Sequence, residues 1–170
     1  MHYFLAVRQM MRSLKLLDTI LDKAAKYAEA RKFDVNNLCS ARLFPDMLPF
    51  IAQIRIACDT AKATAGNLSG KEVARHEDNE TTFAELRARI GKCLGVLETF
   101  TAEDFARTTA TTMVRLPNKP GKAIAADEYL FARQIPNFYF HVVTAYDLLR
   151  HNGVEIGKND YYGPLDFVDA

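Results

Sequence analysis

Apolar residues recur every three or four positions in four separate stretches of this chain, and that spacing commits most of it to amphipathic helices, each with one face to bury. The first stretch runs from about Tyr3 to Ala28: Phe4, Val7, Met11, Leu14, Leu17, Leu21 and Ala25 recur at helical spacing, while Arg8, Arg12, Lys15, Asp22 and Lys26 lie elsewhere around the axis. The second runs from about Asp46 to Leu68 with a stripe of Ile51, Ile54, Cys58, Ala61, Ala65 and Leu68. Asp46 is placed as its N-cap, Pro49 in its first turn and Gly66 and Gly70 at its end. The third opens at Thr82-Phe83-Ala84-Glu85, a capping-box spacing, and continues through Leu86, Ile90, Cys93 or Leu94, Leu97 and Phe100. The fourth ends at Gly153, with Arg150 and His151 in the last turn. Because Tyr129, Phe131 and Ile135 continue its apolar pattern upstream of Pro136, it is expected to start near Asp127 and kink, rather than to begin at Pro136.

Between the third and fourth helices, Thr108 to Leu116 is β-prone, Pro117-Asn118-Lys119-Pro120-Gly121 is a turn, and Lys122 to Ala125 returns as a short second strand. Arg31 to Pro45 is the other long connection, and Gly157 to Pro164 is expected to pack as an ordered tail. The expectation is a single all-α domain over residues 1–170: a four-helix bundle with long crossover connections and a small β-hairpin between helices three and four.

Composition narrows the function classes. The chain has 170 residues with 25% charged and a net charge of +1, so it lacks the basic footprint of a nucleic-acid binder. No run approaches the length of about 20 apolar residues that a membrane span needs. The opening Met1 to Val7 is interrupted by Arg8 and Arg12, the wrong order for a signal peptide, which points to the cytoplasm. Cys39, Cys58 and Cys93 are scattered and make no Cys-x-x-Cys pair, so reduced, buried thiols are expected. There is no nucleophile elbow, no phosphate-binding Gly loop and no His-Glu-x-x-His, and Ser13, Ser40 and Ser69 stand in no catalytic context.

The run Pro136-Asn137-Phe138-Tyr139-Phe140-His141 carries the most chemistry. Asn137 and His141 are four apart and are placed one above the other on the apolar face. Two histidines at that spacing would be half of a metal site, and here one of them is Asn. His141 is expected to be buried and hydrogen-bonded to Asn137, Gln53 or a backbone carbonyl, or else to serve a pocket as a ligand-binding or proton-shuttling group. Asp46, with Arg42 four residues before it, is either a helix cap or part of a polar pair at a pocket mouth. His76, Asp78, Asn79 and Glu80 cluster ahead of helix three and are expected to be a solvated loop, with cation binding as the alternative. His151 is placed as a helix-end residue and His2 has no defined role. The aromatic residues Tyr129, Phe131, Phe138, Tyr139, Phe140 and Tyr146 surround helix four, so part of that belt should face the bundle and part a second copy of the chain.

The late run resembles the DinB/YfiT-like bundle proteins, whose last helix ends in His-x-x-x-His-x-Gly-Gln-x-x-x-Leu-Leu-Arg-x-x-Gly. The corresponding residues here are Asn137-x-x-x-His141 and Leu148-Leu149-Arg150-His151-Asn152-Gly153. Across the whole chain the resemblance is to one branch of that superfamily, the domain-of-unknown-function family numbered nineteen-ninety-three. It is carried by Phe44-Pro45-Asp46-Met47, Thr82 to Leu86, Pro136 to His141, and Leu149 to Val154 with Gly157-Lys158. The resemblance implies a bundle fold with a possible pocket between helices, often in a homodimer. In the wider superfamily it also implies three metal-binding histidines, one from helix two and two from helix four. Carried over by position, His141 matches one ligand and Asn137 replaces another; helix two has no His, and its inward polar candidates are Gln53 and Asp46. One imidazole among amides is a poor set for Zn²⁺ or Ni²⁺, so no cofactor is expected. The leading expectation is therefore a metal-free homodimer that binds a small ligand or a protein, with His141, Asn137, Gln53 and Asp46 as pocket candidates. The alternative is a transferase or hydrolase dependent on Zn, Ni or Fe, with His141 as the surviving ligand.

Overall fold

The structure is a computed structural model and describes residues 1–116 and 119–168. Four long helices form the bundle. Helix α1 spans His2–Arg31, α2 Phe50–Ser69, α3 Phe83–Glu98 and α4 Ile135–His151, and a short α5 covers Lys158–Tyr162. The four-helix bundle expectation holds. Helix α2 packs against α4 and α3, while α1 packs against α2, α3 and α4. The apolar stripes meet at the centre: Leu14, Leu21, Ile54, Cys58, Ala61, Leu86, Ile90, Cys93, Phe138 and Ala145 are all buried. The thiols are buried and free, and the Cys93 Sγ–H donates to the Cys58 carbonyl at 3.4 Å. No helix among the described residues is long and apolar enough to cross a membrane.

The helix ends show which local signals act. Thr82 caps α3 by accepting from the Glu85 N–H at 3.2 Å, while the Glu85 carboxylate accepts from the Thr82 N–H at 2.9 Å, the reciprocal box the sequence spells. The Thr81 N–H at 2.7 Å, the Thr82 hydroxyl at 3.0 Å and the Thr82 N–H all donate to the Glu85 carboxylate and pull its pKa down to about 2. At the end of α4, the Val154 N–H bonds the Leu149 carbonyl and the Gly153 N–H bonds the Arg150 carbonyl, with Gly153 at φ 90°. This is a Schellman ending, and it requires the left-handed residue at Gly153.

One expected boundary moves, and one expected kink takes another form. Helix α2 begins at Phe50 with Pro49 as its N-cap, so Asp46 is not the cap; it lies in an exposed turn four residues ahead of the helix. The reason is local: Pro49 holds φ −69° and ψ 165°, an extended conformation, and a proline disfavours helix in the residue before it. Ahead of α4, the helical path does start near Asp127, but Glu128–Gln134 is a π-helix rather than a simple kink. Pro136 has no N–H and its ring crowds the preceding turn; the wider turn immediately upstream accommodates both. Asp127 fixes that entry by accepting from Tyr3 Oη at 2.6 Å and bonding His2 Nε2 at 3.0 Å, which gives His2 an anchoring role.

The expected hairpin is present but short. Strand β1, Met113–Arg115, pairs antiparallel with β2, Ala123–Ala125, with Val114 opposite Ile124. Pro117 and Asn118 of its turn lie outside the described residues. The tail is ordered through α5: Lys23 pairs with Asp160 at 2.6 Å, and Arg12 donates to the carbonyls of Tyr162 and Pro164.

Candidate functional site

Gln53 comes from the first turn of α2 and His141 from the second turn of α4. Both are buried, and His141 Nδ1 lies 2.7 Å from Gln53 Oε1. The Gln53 Nε2 donates to the Leu48 carbonyl at 2.9 Å, which orients the amide so that its oxygen faces the imidazole. That oxygen only accepts, so Nδ1 carries the proton and Nε2 holds the lone pair, with no protein hydrogen bond among the described residues. Burial pushes the His141 pKa below its ordinary 6.5, which keeps the ring neutral near pH 7. The pair therefore offers one fixed, uncharged nitrogen acceptor.

Asn137 is not on this apolar face. It is exposed, and its Nδ2 donates to Thr60 Oγ1 at 2.8 Å. Four residues of helix advance about 400°, so Asn137 and His141 differ by about 40° around the axis. That is enough to move Asn137 from the core to the rim. Asp46 is exposed, and Arg42, its expected partner, donates instead to the Met47 carbonyl. Of the four candidates, then, Gln53 and His141 meet, Asn137 sits one turn nearer the start of α4, and Asp46 stands apart on the loop that Gln53 ties down.

These residues fit the family metal poorly. Gln53 Oε1 is engaged by the imidazole and Asn137 Nδ2 by a hydroxyl, so a cation at His141 Nε2 would meet no thiolate, carboxylate or second imidazole from this set. Among the described residues no three His, Cys, Asp or Glu side chains stand together as a metal-binding group.

A larger feature lies beside Asn137. An open cleft of about 880 Å³ runs between α2, residues 71–78, the hairpin and the start of α4. Its near wall depends on Gly66, where a Cβ would lie 2.8 Å from Val73 Cγ2 and 3.0 Å from the Lys71 carbonyl. Glycine lets the chain after α2 lie directly on the helix. Behind this wall is a charge network that sequence reasoning missed. Arg89 on α3 is 1% exposed; its guanidinium reaches Asp59 at 2.8 Å, Asp78 at 3.0 Å, Glu80 at 3.0 Å and the Glu77 carbonyl at 2.8 Å. Arg55 joins through Glu80 at 2.8 Å. Lys62, also buried, lies 3.3 Å from both Asp59 and the Ala74 carbonyl. The 76–80 segment is a loop exposed at residues 77–79, as expected, and it also docks Arg89 through Asp78, Glu80 and the Glu77 carbonyl. The signal was present: Arg89 interrupts the Leu86, Ile90, Cys93 stripe and Lys62 the Cys58, Ala61, Ala65 stripe. A charge at such a position needs a partner.

One substitution tests the Gln53–His141 geometry. Gln53→Glu sets a carboxylate beside the protonated Nδ1, and the His141 pKa is expected to rise by about 1 unit or more. An NMR titration of the His141 ring protons measures it. Because this pKa is depressed in the native protein, His141 lowers stability as pH falls below 6.5, and the substitution should reverse that slope.

The comparisons with known proteins agree with this fold. The family model described as "Domain of unknown function (DUF1993)" matches residues 2–162. A crystal structure of a DinB family member protein from Shewanella denitrificans superposes with a TM-score of 0.94 at 44% sequence identity, over 100% of this chain and 96% of that one. No curated protein matches the chain.

Proposed function

The chain belongs to the family of the domain of unknown function DUF1993, with a DinB-family fold, and from that premise we propose that it is a metal-free, cytoplasmic homodimer that binds a small ligand. The observation that carries this is the Gln53–His141 hydrogen bond at 2.7 Å. At the position the superfamily gives to a metal, this chain joins two neutral side chains to each other and leaves one nitrogen acceptor. Such a site suits a neutral donor group on a ligand rather than a cation. Buried free thiols are consistent with a reducing compartment.

Dimerisation is supported by the outer face of α4. Phe140 is 56% exposed and Val143 39% exposed, and Phe44 and Leu48 on the loop tied down by Gln53 are also exposed. The aromatic belt divides accordingly, with Tyr129 and Phe138 buried and Phe131 and Phe140 outward. Exposed apolar side chains at these positions suit an interaction surface. Phe140→Glu is expected to turn a dimer into a monomer in light scattering coupled to size exclusion. A wild-type monomer would remove the dimer from the proposal.

A second function keeps some support from one observation. A metal-binding imidazole usually donates its other N–H to an oxygen acceptor, as His141 does to Gln53. In that case the protein would be a metal-dependent transferase or hydrolase with His141 as ligand. Elemental mass spectrometry on tag-free protein purified without chelator separates the two. No stoichiometric Zn, Ni or Fe is expected; about one ion per chain that disappears in His141→Ala would establish the enzyme instead.

A further inference from the structure

The charges around the cleft are unevenly used. Asp59 and Asp78, which line it, are both committed to Arg89, and Asp59 also to Lys62. Taken with Glu80 and Arg55 the network is neutral, three cations against three carboxylates. Lys71 is paired with Asp104 at 2.6 Å. What remains on the lining is Arg75, Arg115 and Arg133, none with a carboxylate at ion-pair distance among the described residues, against Glu72 alone. The three arginines come from separate elements: the segment after α2, strand β1 and the π-helix. All three line one open cleft rather than a stripe along one helix, with the Arg133 guanidinium over the Tyr129 ring at 5.9 Å. His76 also lines the cleft, and its Nδ1 is buried with no hydrogen-bond partner among the described residues.

We propose that this cleft binds a small phosphate-bearing anion, held by Arg75, Arg115 and Arg133 at the rim. Guanidinium groups present planar forks that match phosphate oxygens, and three of them from three directions suit a group with several charged oxygens. The open cleft, of about 880 Å³, has room for more than an inorganic phosphate. The neutral network behind the wall keeps the cleft positive, because Asp59 and Asp78 face Arg89 and are not free to repel the anion. The cleft is separate from the Gln53–His141 pair, and Asn137 lies on its edge. This inference concerns a second site and does not depend on the ligand-binding proposal above. A metal at His141 would overturn the metal-free proposal and leave this one standing.

The test uses inorganic pyrophosphate as probe in isothermal titration calorimetry with the full chain, and citrate as the carboxylate comparator. Saturable binding of pyrophosphate is expected, tighter than citrate, and weakened about ten-fold by Arg133→Gln and by Arg75→Gln. Circular dichroism checks that both variants are folded. Arg150→Gln, an exposed arginine at the far end of α4, should bind as wild type does. The His76 ring protons should shift in NMR as pyrophosphate is added. Absence of saturable binding, equal weakening by Arg150→Gln, tighter citrate, or an unmoved His76 would each overturn the assignment.

Discussion

Arg89→Met is expected to lower the unfolding free energy by about 3 kcal/mol, the lower end of the range for breaking a buried ion pair from one side. The guanidinium is almost wholly buried and satisfies four oxygens. Methionine restores most of the volume, so the loss is electrostatic rather than a cavity. The magnitude depends on which carboxylates are stranded. The side chains of Asp59 and Asp78 are 42% and 62% exposed and rehydrate cheaply, whereas that of Glu80 is 10% exposed and keeps only Arg55. Burial alone would raise the Glu80 carboxyl; the Arg89 hydrogen bonds, its own backbone N–H and Arg55 outweigh it and hold the group below its ordinary value. In the wild type, Glu80 therefore contributes stability that is present above about pH 4.5 and lost as pH falls through the lower native value. Without Arg89 the burial effect dominates and the sign reverses, so the deficit of the variant should shrink on acidification. Urea denaturation at pH 7 and at pH 4 reads both. Adding Glu80→Gln to Arg89→Met should recover part of the loss, because the stranded charge is gone. A deficit below about 1 kcal/mol at pH 7 would mean that the network positions the 76–80 segment without stabilising the fold.

The two halves of this protein were not equally legible. Helical stripes, the Thr82–Glu85 box and the Gly153 ending are local signals: the residues that cause them lie within one or two turns of the effect. They appear in the structure at or within a few residues of the expected places. The start of α2 failed because two start signals compete within four residues. Asp46 can cap only if the chain after it turns helical at once, and Pro49 forbids that for Leu48. The polar sites were only partly legible, for a different reason. Asn137 and His141 satisfy a four-residue spacing equally well whether the first is in the core or on the rim, and a difference of about 40° decides between them. Gln53 was identified as the inward amide of helix two, but its partner was one of three open alternatives, because the contact spans 88 positions of sequence. The Arg89 network was least visible. Its carboxylates at 59, 78 and 80 come from a helix and a connection that look like solvated surface until Arg89 supplies the missing charge.

Phe50→Ala is the other change with a large expected effect, a loss of about 3–5 kcal/mol. Phe50 is fully buried, and its ring stacks on Phe83 with centroids 5.3 Å apart and planes 10° from parallel. It is also the first residue of α2, and its N–H bonds the Ala41 carbonyl at 2.9 Å, closing the 41–49 loop onto the helix. Truncation therefore opens a cavity where α2, α3 and that loop meet. Phe50→Leu keeps most of the volume and should cost less than about 1.5 kcal/mol, which separates lost packing from lost stacking geometry. The functional consequence follows from the next turn. Gln53 holds Leu48 with one end of its amide and His141 with the other, so slack at Phe50 reaches the imidazole through a single side chain. With the loop loosened, water reaches the ring and the burial that depresses the His141 pKa weakens. The pKa should rise toward 6.5 in folded Phe50→Ala and stay low in Phe50→Leu, as read from the ring-proton titration. If stability falls as expected while the His141 pKa does not move, the pair is held by α2 and α4 alone. The loop would then be free to open toward solvent without disturbing the acceptor nitrogen, and a ligand could enter past Leu48 with Gln53 and His141 already in place.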